Sequence, residues 1–311
     1  MKDVAIFPSV GIWCKGNLHT HTTNSDGKLS PEQTITEYKK MGYDFLAFTD
    51  HGRYVYNKHL ESDDFVVIPG IEIAIHPTDK KIYHHIAAVR SKISDKNYPD
   101  GYVFPHSEYK GLKTVQEAID DLNAHDNFTF YCHPLGSRTE VGDFIELDGL
   151  IGMEIYNTHS HIQHNNNFGY SPTYTDGALR RGKMRHIFAV DDCHHLLNDR
   201  GKGYVMVKSD EKSEESIVDA ILKGRFYSSR GPEIYEFGVK DNEVYIKCSS
   251  VREIHFIAYD PAGYSFVGEK GELRENTSCA VNESWSYVRA EIIDDHGYQA
   301  WTNPIFLADV K

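Results

Sequence analysis

The sequence predicts an α/β fold, a barrel of strands alternating with helices, followed by a small all-β sandwich. Three observations carry that expectation. Apolar runs of strand length alternate with capped helix patterns through the first two thirds of the chain. Histidines and carboxylates stand just after several of those runs, where a barrel of parallel strands places its active site. No helix pattern follows Gly231-Pro232, and alternating segments take over.

Taken in order, Ser30-Pro31-Glu32-Gln33 forms a capping box with proline at the first helical position. Ile35, Tyr38 and Met41 mark one face of that helix and Gly42 ends it. An apolar run at residues 45–48 follows at once. Thr114 with Glu117 signals a second helix carrying Val115, Ala118, Ile119 and Leu122, ahead of a run at 128–131. Further runs occupy residues 65–68, 150–155 and 187–190, and a last helix is expected over 213–223, stopped by Gly224. From Glu233 onward, segments at 244–247, 253–258, 287–293 and 304–307 are separated by Asp241-Asn242, Asp260-Pro261 and Asp295-His296-Gly297, which are turn signals. The expected division is therefore residues 1–232 for the barrel and 233–311 for the sandwich.

With 46 acidic residues against 33 basic, the chain of 311 residues has a formal charge of −13. Coating a nucleic acid takes clustered Lys and Arg, so extended nucleic-acid binding is not expected. A small phosphorylated substrate remains compatible, because bound cations supply positive charge locally. The five cysteines (Cys14, Cys132, Cys193, Cys248, Cys279) are odd in number and lack C-x-x-C spacing, so they read as reduced thiols of a cytoplasmic protein. No secretory signal and no membrane-length apolar segment is apparent.

The 18 histidines point to chemistry. In His19-Thr20-His21 the two imidazoles share one side of an extended chain and reach one ion. Asp26 follows in Asn24-Ser25-Asp26-Gly27. Then come Asp50-His51 after the run at 45–48, Glu72 in Pro69-Gly70-Ile71-Glu72, His84-His85, His133-Pro134, and Asp191-Asp192-Cys193-His194-His195. Imidazole and carboxylate suit Mn, Fe or Zn, and a carboxylate bridges two ions. Taken singly, each group is a polar residue meeting solvent at a strand end; six together converge on a metal site.

GNLHTHTTNSDG, FLAFTDHG, PGIEI, a later His, FYCHP and VDDCHH, in that order, resemble the PHP (polymerase and histidinol phosphatase) family over residues 13–232. The resemblance implies a distorted (β/α)7 barrel holding two to three divalent ions. Carried over by motif, one ion takes His19, His21, Glu72 and Asp192. A second shares Glu72 and adds His85 and His133, and a third takes Asp26, His51 and His194. In a strand only one of His84 and His85 faces the barrel mouth, and the family's spacing favours His85; its closing D-x-H favours Asp192 over Asp191. The implied activity is hydrolysis of a small anionic phosphoester by a metal-bridging hydroxide, with Glu72 and His194 as catalytic candidates. Arg138, Arg230 and His159 are candidate substrate contacts, and His161 and His164 share the polar loop of His159. The closing Ala300-Trp301-Thr302-Asn303-Pro304-Ile305 resembles the tail of a PHP-like branch known for carbamate ester cleavage. Hydrolysis of a carboxyl ester, amide or carbamate is thus the alternative, and a binding module without catalysis the third reading. His255 and His296 of the sandwich are expected to lie away from the metals.

Overall fold

The computed structural model describes residues 1–76, 83–106, 108–163, 168–196, 198–258, 263–269 and 271–310. Seven strands carry the candidate site: Ile12–Asn17, Phe45–Phe48, Val66–Ile75, His84–Arg90, Asn127–Tyr131, Leu150–Asn157 and His186–Val190. They are hydrogen-bonded side by side in chain order. Four of the six pairings are parallel, as alternation with helices requires. His84–Arg90 departs from the expectation, for it runs antiparallel to both neighbours. An antiparallel neighbour needs only a short connection, and among the described residues no helix separates it from Val66–Ile75.

The two edges of this ladder meet at one end. Thr20 bridges Cys193 in parallel; Asp192 N–H donates to the His19 carbonyl at 3.0 Å and His21 N–H to that of Cys193 at 2.9 Å. Further down, the Ser228 hydroxyl accepts from Ala189 N–H at 2.8 Å and donates to the Ile187 carbonyl at 2.7 Å, linking His186–Val190 to the strand Phe226–Ser229.

Both faces of these strands are buried, which is why they read as continuous apolar runs rather than as alternation. Val66, Ile68, Ala87, Val89, Phe128, Phe130, Phe188 and Val190 fill one shared cluster. Ile71, Ile73, Ile86 and Ala88 face the other way, against Val115, Ile119 and Leu122 of the helix Leu112–Ala124. The period-two geometry of a strand therefore puts Glu72 and His85 on the inner side, above Ile68 and Ala87.

The helix Pro31–Lys40 has its capping box: Ser30 Oγ accepts from Gln33 N–H at 3.3 Å and Ser30 N–H donates to Gln33 Oε1 at 3.0 Å. The expected Thr114–Glu117 start is displaced, since that helix begins at Leu112 and Thr114 Oγ1 accepts instead from Lys110 N–H at 2.8 Å. Ser213 caps Glu214–Leu222, as expected.

Beyond residue 232, Ile234–Lys240, Glu243–Val251 and Arg274–Ala280 form an antiparallel sheet joined by the N-terminal strand Val4–Ala5. Glu253–Ala258, Tyr264–Val267, Tyr287–Ile293 and Gln299–Thr302 make a second layer, which continues through Phe226–Ser229 and Tyr204–Ser209 into Ile12–Asn17. Phe237, Val244 and Ile246 of the first sheet share one core with Ile254, Phe256 and Ile292 of the second. Asp241 and Asn242 both have positive φ, 51° and 62°, as a two-residue hairpin turn of type I′ demands. The turn signal at Asp260-Pro261 lies outside the described residues. The chain is mixed α/β with strands predominating. Among the described residues, no helix is long and apolar enough to cross a membrane.

Candidate metal centre

His19 and His21 follow the strand Ile12–Asn17 and are fully buried. His19 Nδ1 lies 2.7 Å from Glu154 Oε1, so it carries the proton and leaves Nε2 as a lone-pair donor. That Nε2 is 3.1 Å from His21 Nε2, 3.2 Å from Glu72 Oε2 and 3.3 Å from Asp192 Oδ1. His21 Nε2 is 3.3 Å from Glu72 Oε2 and 3.0 Å from Asp192 Oδ1. Four donors from three separated stretches of chain thus converge on one point.

The fit to a cation rests on what these atoms lack. Glu72 Oε2 and Asp192 Oδ1 are buried without a hydrogen-bond partner, as is His21 Nδ1. A buried, unpaired carboxylate oxygen is costly, and a divalent cation is the ligand that such an oxygen and imidazole lone pairs share.

Glu72 is the hub. Its Oε2 also lies 2.9 Å from His51 Nδ1, and its Oε1 lies 2.8 Å from His85 Nδ1 and 3.2 Å from His133 Nε2. His133 Nδ1 is held by Ser137 Oγ at 2.9 Å, and Nε2 is 3.8 Å from Asp192 Oδ2. Asp26, on a more exposed loop, faces His194 Nε2 at 3.5 Å, His51 Nε2 at 3.7 Å and His21 Nδ1 at 3.9 Å. The structure thus brings all nine expected ligands together. His21 falls in two of the donor groups, with His19, Glu72 and Asp192 and with Asp26, His51 and His194; His51 also groups with Glu72 and His85.

Burial opposes charge on His19, but Asp192 and Glu72 outweigh it and lift its pKa well above the ordinary imidazole value. Burial likewise opposes charge on His51 and His194, yet Glu72 and Asp26 respectively carry them up to about 9. Against its own burial, Glu72 is held far below the usual carboxylate range by His19, His51 and His85. Asp192 is held there, against burial, by His19, His21 and His194. A cation entering this cluster exchanges with protons, as it does at histidine sites generally.

The centre opens into a cavity of about 460 Å³ lined by Glu72, His133, Ser137, Arg138, His159 and His194, among others. Arg138 has its guanidinium carbon 3.7 Å from the centre of the Phe168 ring. His159 is buried, with Nδ1 2.8 Å from Asp199 Oδ2 and its ring 4.4 Å from that of His194. Arg230 stands apart from this cavity, stacked on Tyr156 at 4.2 Å with Nη1 donating to Gln299 Oε1 at 2.8 Å. His84 faces away from the centre, Nδ1 2.8 Å from the Tyr131 hydroxyl. Asp191 also points elsewhere, accepting from the N–H groups of Gly201, Lys202 and Gly203 and from Tyr38 OH. His161 packs on Tyr156, and His164 lies outside the described residues. His255 bonds Ser265 and Glu253, and neither it nor His296 enters a donor group among the described residues.

Four residues support the centre, and of these the sequence reading picks out only Asp50, beside His51. Glu154 takes His19 on one oxygen and accepts from His133 N–H (2.7 Å) and Asn157 Nδ2 (2.8 Å) on the other. Asn157 Nδ2 reaches Asp192 Oδ2 at 3.1 Å. Asp50 accepts from Thr22 N–H at 2.7 Å and Ser25 Oγ at 2.8 Å, which fixes the loop bearing Asp26. Asp199 accepts from His194 N–H at 3.0 Å as well as holding His159. The signal for Glu154 was available: a carboxylate inside an apolar strand run is rarely buried without partners. Carboxylates that orient ligating histidines are typically worth 10–100-fold in metal affinity or activity. Glu154→Gln is therefore expected to weaken Mn²⁺ binding by about 10–100-fold, measured by competition with a chromophoric chelator, with the circular dichroism spectrum retained. Unchanged affinity would remove Glu154 from the centre.

The PHP domain profile matches residues 17–207. Over 229 residues the chain is 22% identical to the DNA polymerase/3'-5' exonuclease PolX of Bacillus subtilis, an alignment covering 66% of this chain and 39% of that protein. In structure it is similar to a two-domain protein of Bacteroides vulgatus, described as containing a predicted PHP-like metal-dependent phosphoesterase. That likeness, one of fold, has a TM-score of 0.51 at 14% identity over 98% of this chain and 99% of that one. A Bifidobacterium adolescentis protein described as a candidate metal-dependent phosphoesterase follows, with a TM-score of 0.44 at 14% identity over 70% of this chain and 97% of that one. With the profile spanning more than half of its length, and with the nine expected ligands brought to one centre, the chain belongs to the PHP domain family.

Proposed function

We propose that this protein is a metal-dependent phosphoesterase acting on a small anionic phosphorylated substrate at the Glu72 centre. The observation that carries the reading is the Glu72 carboxylate itself, buried and in reach of five imidazoles (His19, His21, His51, His85, His133), with one oxygen lacking any hydrogen bond. His19, His21, Glu72 and Asp192 would hold one ion, Glu72, His85 and His133 a second, and Asp26, His51 and His194 a third. Divalent cations held there (Mn, Fe or Zn) supply Lewis-acid charge and lower the pKa of water at the site.

The rest is the work of the chain. Glu154 and Ser137 fix the protons of His19 and His133 on Nδ1, so that Nε2 of each faces the centre. Asp199 holds His159 at Nδ1, and when the ring carries both protons its Nε2–H donates to a phosphoryl or leaving-group oxygen. Arg138, fixed over Phe168, is the cavity's guanidinium and pairs with phosphoryl oxygens. His194, as a ligand with Nδ1 on the Asp192 carbonyl, has no proton to give the leaving group. We read residues 1–232 as the distorted (β/α)7 barrel and 233–311 as a small all-β sandwich, which contributes none of the described residues lining the cavity.

Arg138 favours phosphorus over carbon, because a neutral carbonyl substrate has no need of a guanidinium. The exonuclease activity in the name of the Bacillus subtilis relative, an activity on phosphodiesters, supports the same choice. In a comparison of matched substrates with Mn²⁺ present, the aryl phosphate is expected to give a larger kcat/KM than the aryl carboxyl ester. The reverse order would transfer the function to ester, amide or carbamate hydrolysis at the same centre.

A further inference from the structure

A second cavity, of about 760 Å³, adjoins the metal centre and shares His51 with it. Its character is different. Among the described residues Ile73, Ile75, Phe104, Pro105 and Tyr109 line it, and neither Lys nor Arg does; beside Tyr109, its charged or titratable groups are His51, His76, His106 and Glu108. We propose that this cleft receives the organic part of the substrate, an apolar ring-bearing alcohol, while the phosphoryl group lies at Glu72 and Arg138. The inference rests on the phosphoesterase reading and adds the class of leaving group.

The reasons are geometric. Gly52 N–H donates to the Glu72 carbonyl at 2.8 Å, and the Gly52 carbonyl accepts from Phe104 N–H at 2.9 Å. The cleft wall is thereby tied by two backbone bonds to the hub of the metal centre, so an ester bridging the two keeps a fixed register. Tyr109 lies parallel to His84 at 6.3 Å and 18°, which fixes its ring as part of the wall. On the floor, Ile73 and Ile75 come from the same strand as Glu72, on its other face. With no Lys or Arg among its described lining residues and with Glu108 there, the cleft does not suit a second anionic group, whereas aliphatic and aromatic walls suit a planar apolar one. The volume lies within the usual range for small-molecule sites. The guest stays attached through the ester oxygen until water displaces it, then leaves as the free alcohol.

The test is calorimetric binding to Mn²⁺-loaded protein of two non-hydrolysable probes, methylphosphonate and 2-naphthylmethylphosphonate. Burial of the ring system predicts that the naphthyl compound binds at least about tenfold more tightly. Phe104→Asp with Tyr109→Asp, both at partly exposed positions, is expected to abolish most of that ratio. Equal affinities in the wild type, or a ratio that survives the double substitution, would overturn the cleft assignment and leave the phosphoesterase reading standing. If neither phosphonate binds, the phosphoesterase reading fails instead. The cleft is then decided by 2-naphthol alone: saturable fluorescence anisotropy lost in the double variant supports it, and no saturable binding overturns it.

Discussion

Glu72→Gln is expected to lower kcat/KM by about a thousandfold or more, because one substitution removes the charge that two of the three proposed ions would share. The amide keeps the shape and half of the accepting capacity, so the strand Val66–Ile75 and its inner core have no steric reason to change. Chelation of the wild type is expected to give a loss of the same order, reversed by Mn²⁺, Fe²⁺ or Zn²⁺. The measurement is the steady-state rate on an aryl phosphate, with circular dichroism to confirm folding. A Glu72→Gln protein that keeps more than about a tenth of the activity would contradict the role of Glu72 as hub.

Asp26→Asn is the second large effect. Among the described residues Asp26 is the only carboxylate grouped with His21, His51 and His194, and its side chain is 56% exposed, so the change bears little on stability. Without it the set is imidazole alone, and the third ion is expected to be lost. Charge stabilisation near the reacting group is typically worth about 10²–10³ in kcat, and a loss of that size is expected here. Atomic absorption on the saturated variant should show about one ion fewer per chain. An unchanged metal count would mean that Asp26 serves substrate directly.

Much of the centre was legible because strands have a period of two. Ala87 and Val89 face the inner core, so His85 shares their side and His84 the other, next to Tyr131. Asp192 keeps the parity of Phe188 and Val190, although it lies two residues past their strand with a left-handed backbone at φ 52°. His133 breaks the rule. Parity with Phe128, Phe130 and Cys132 would turn it outward, but its left-handed backbone, at φ 26°, redirects it toward Glu72. No local pattern announces such a residue.

Long-range pairing was equally silent. Val4–Ala5 joins the sheet of the C-terminal half by pairing with Val239 and Gly238, and two residues are too few to show periodicity. His84–Arg90 reads as a buried strand in either direction, since a strand buried on both faces has an apolar run whichever way it pairs. Arg230 follows a strand much as the histidines do, and Tyr156 and Gln299 claim its guanidinium through contacts that only the fold reveals. Glu154 lay within a run already read as apolar, and its worth emerges only with His19 and His133 beside it.

The central claim is that the Glu72 carboxylate organises a multinuclear centre, and metal counting tests it most directly. Wild type and Glu72→Gln would be stripped, saturated with Mn²⁺, desalted and analysed for metal per chain. The account predicts two to three ions in the wild type and at most about one, at the Asp26 set, in Glu72→Gln. A wild type that saturates below two, or a variant that keeps the full wild-type count, would contradict it.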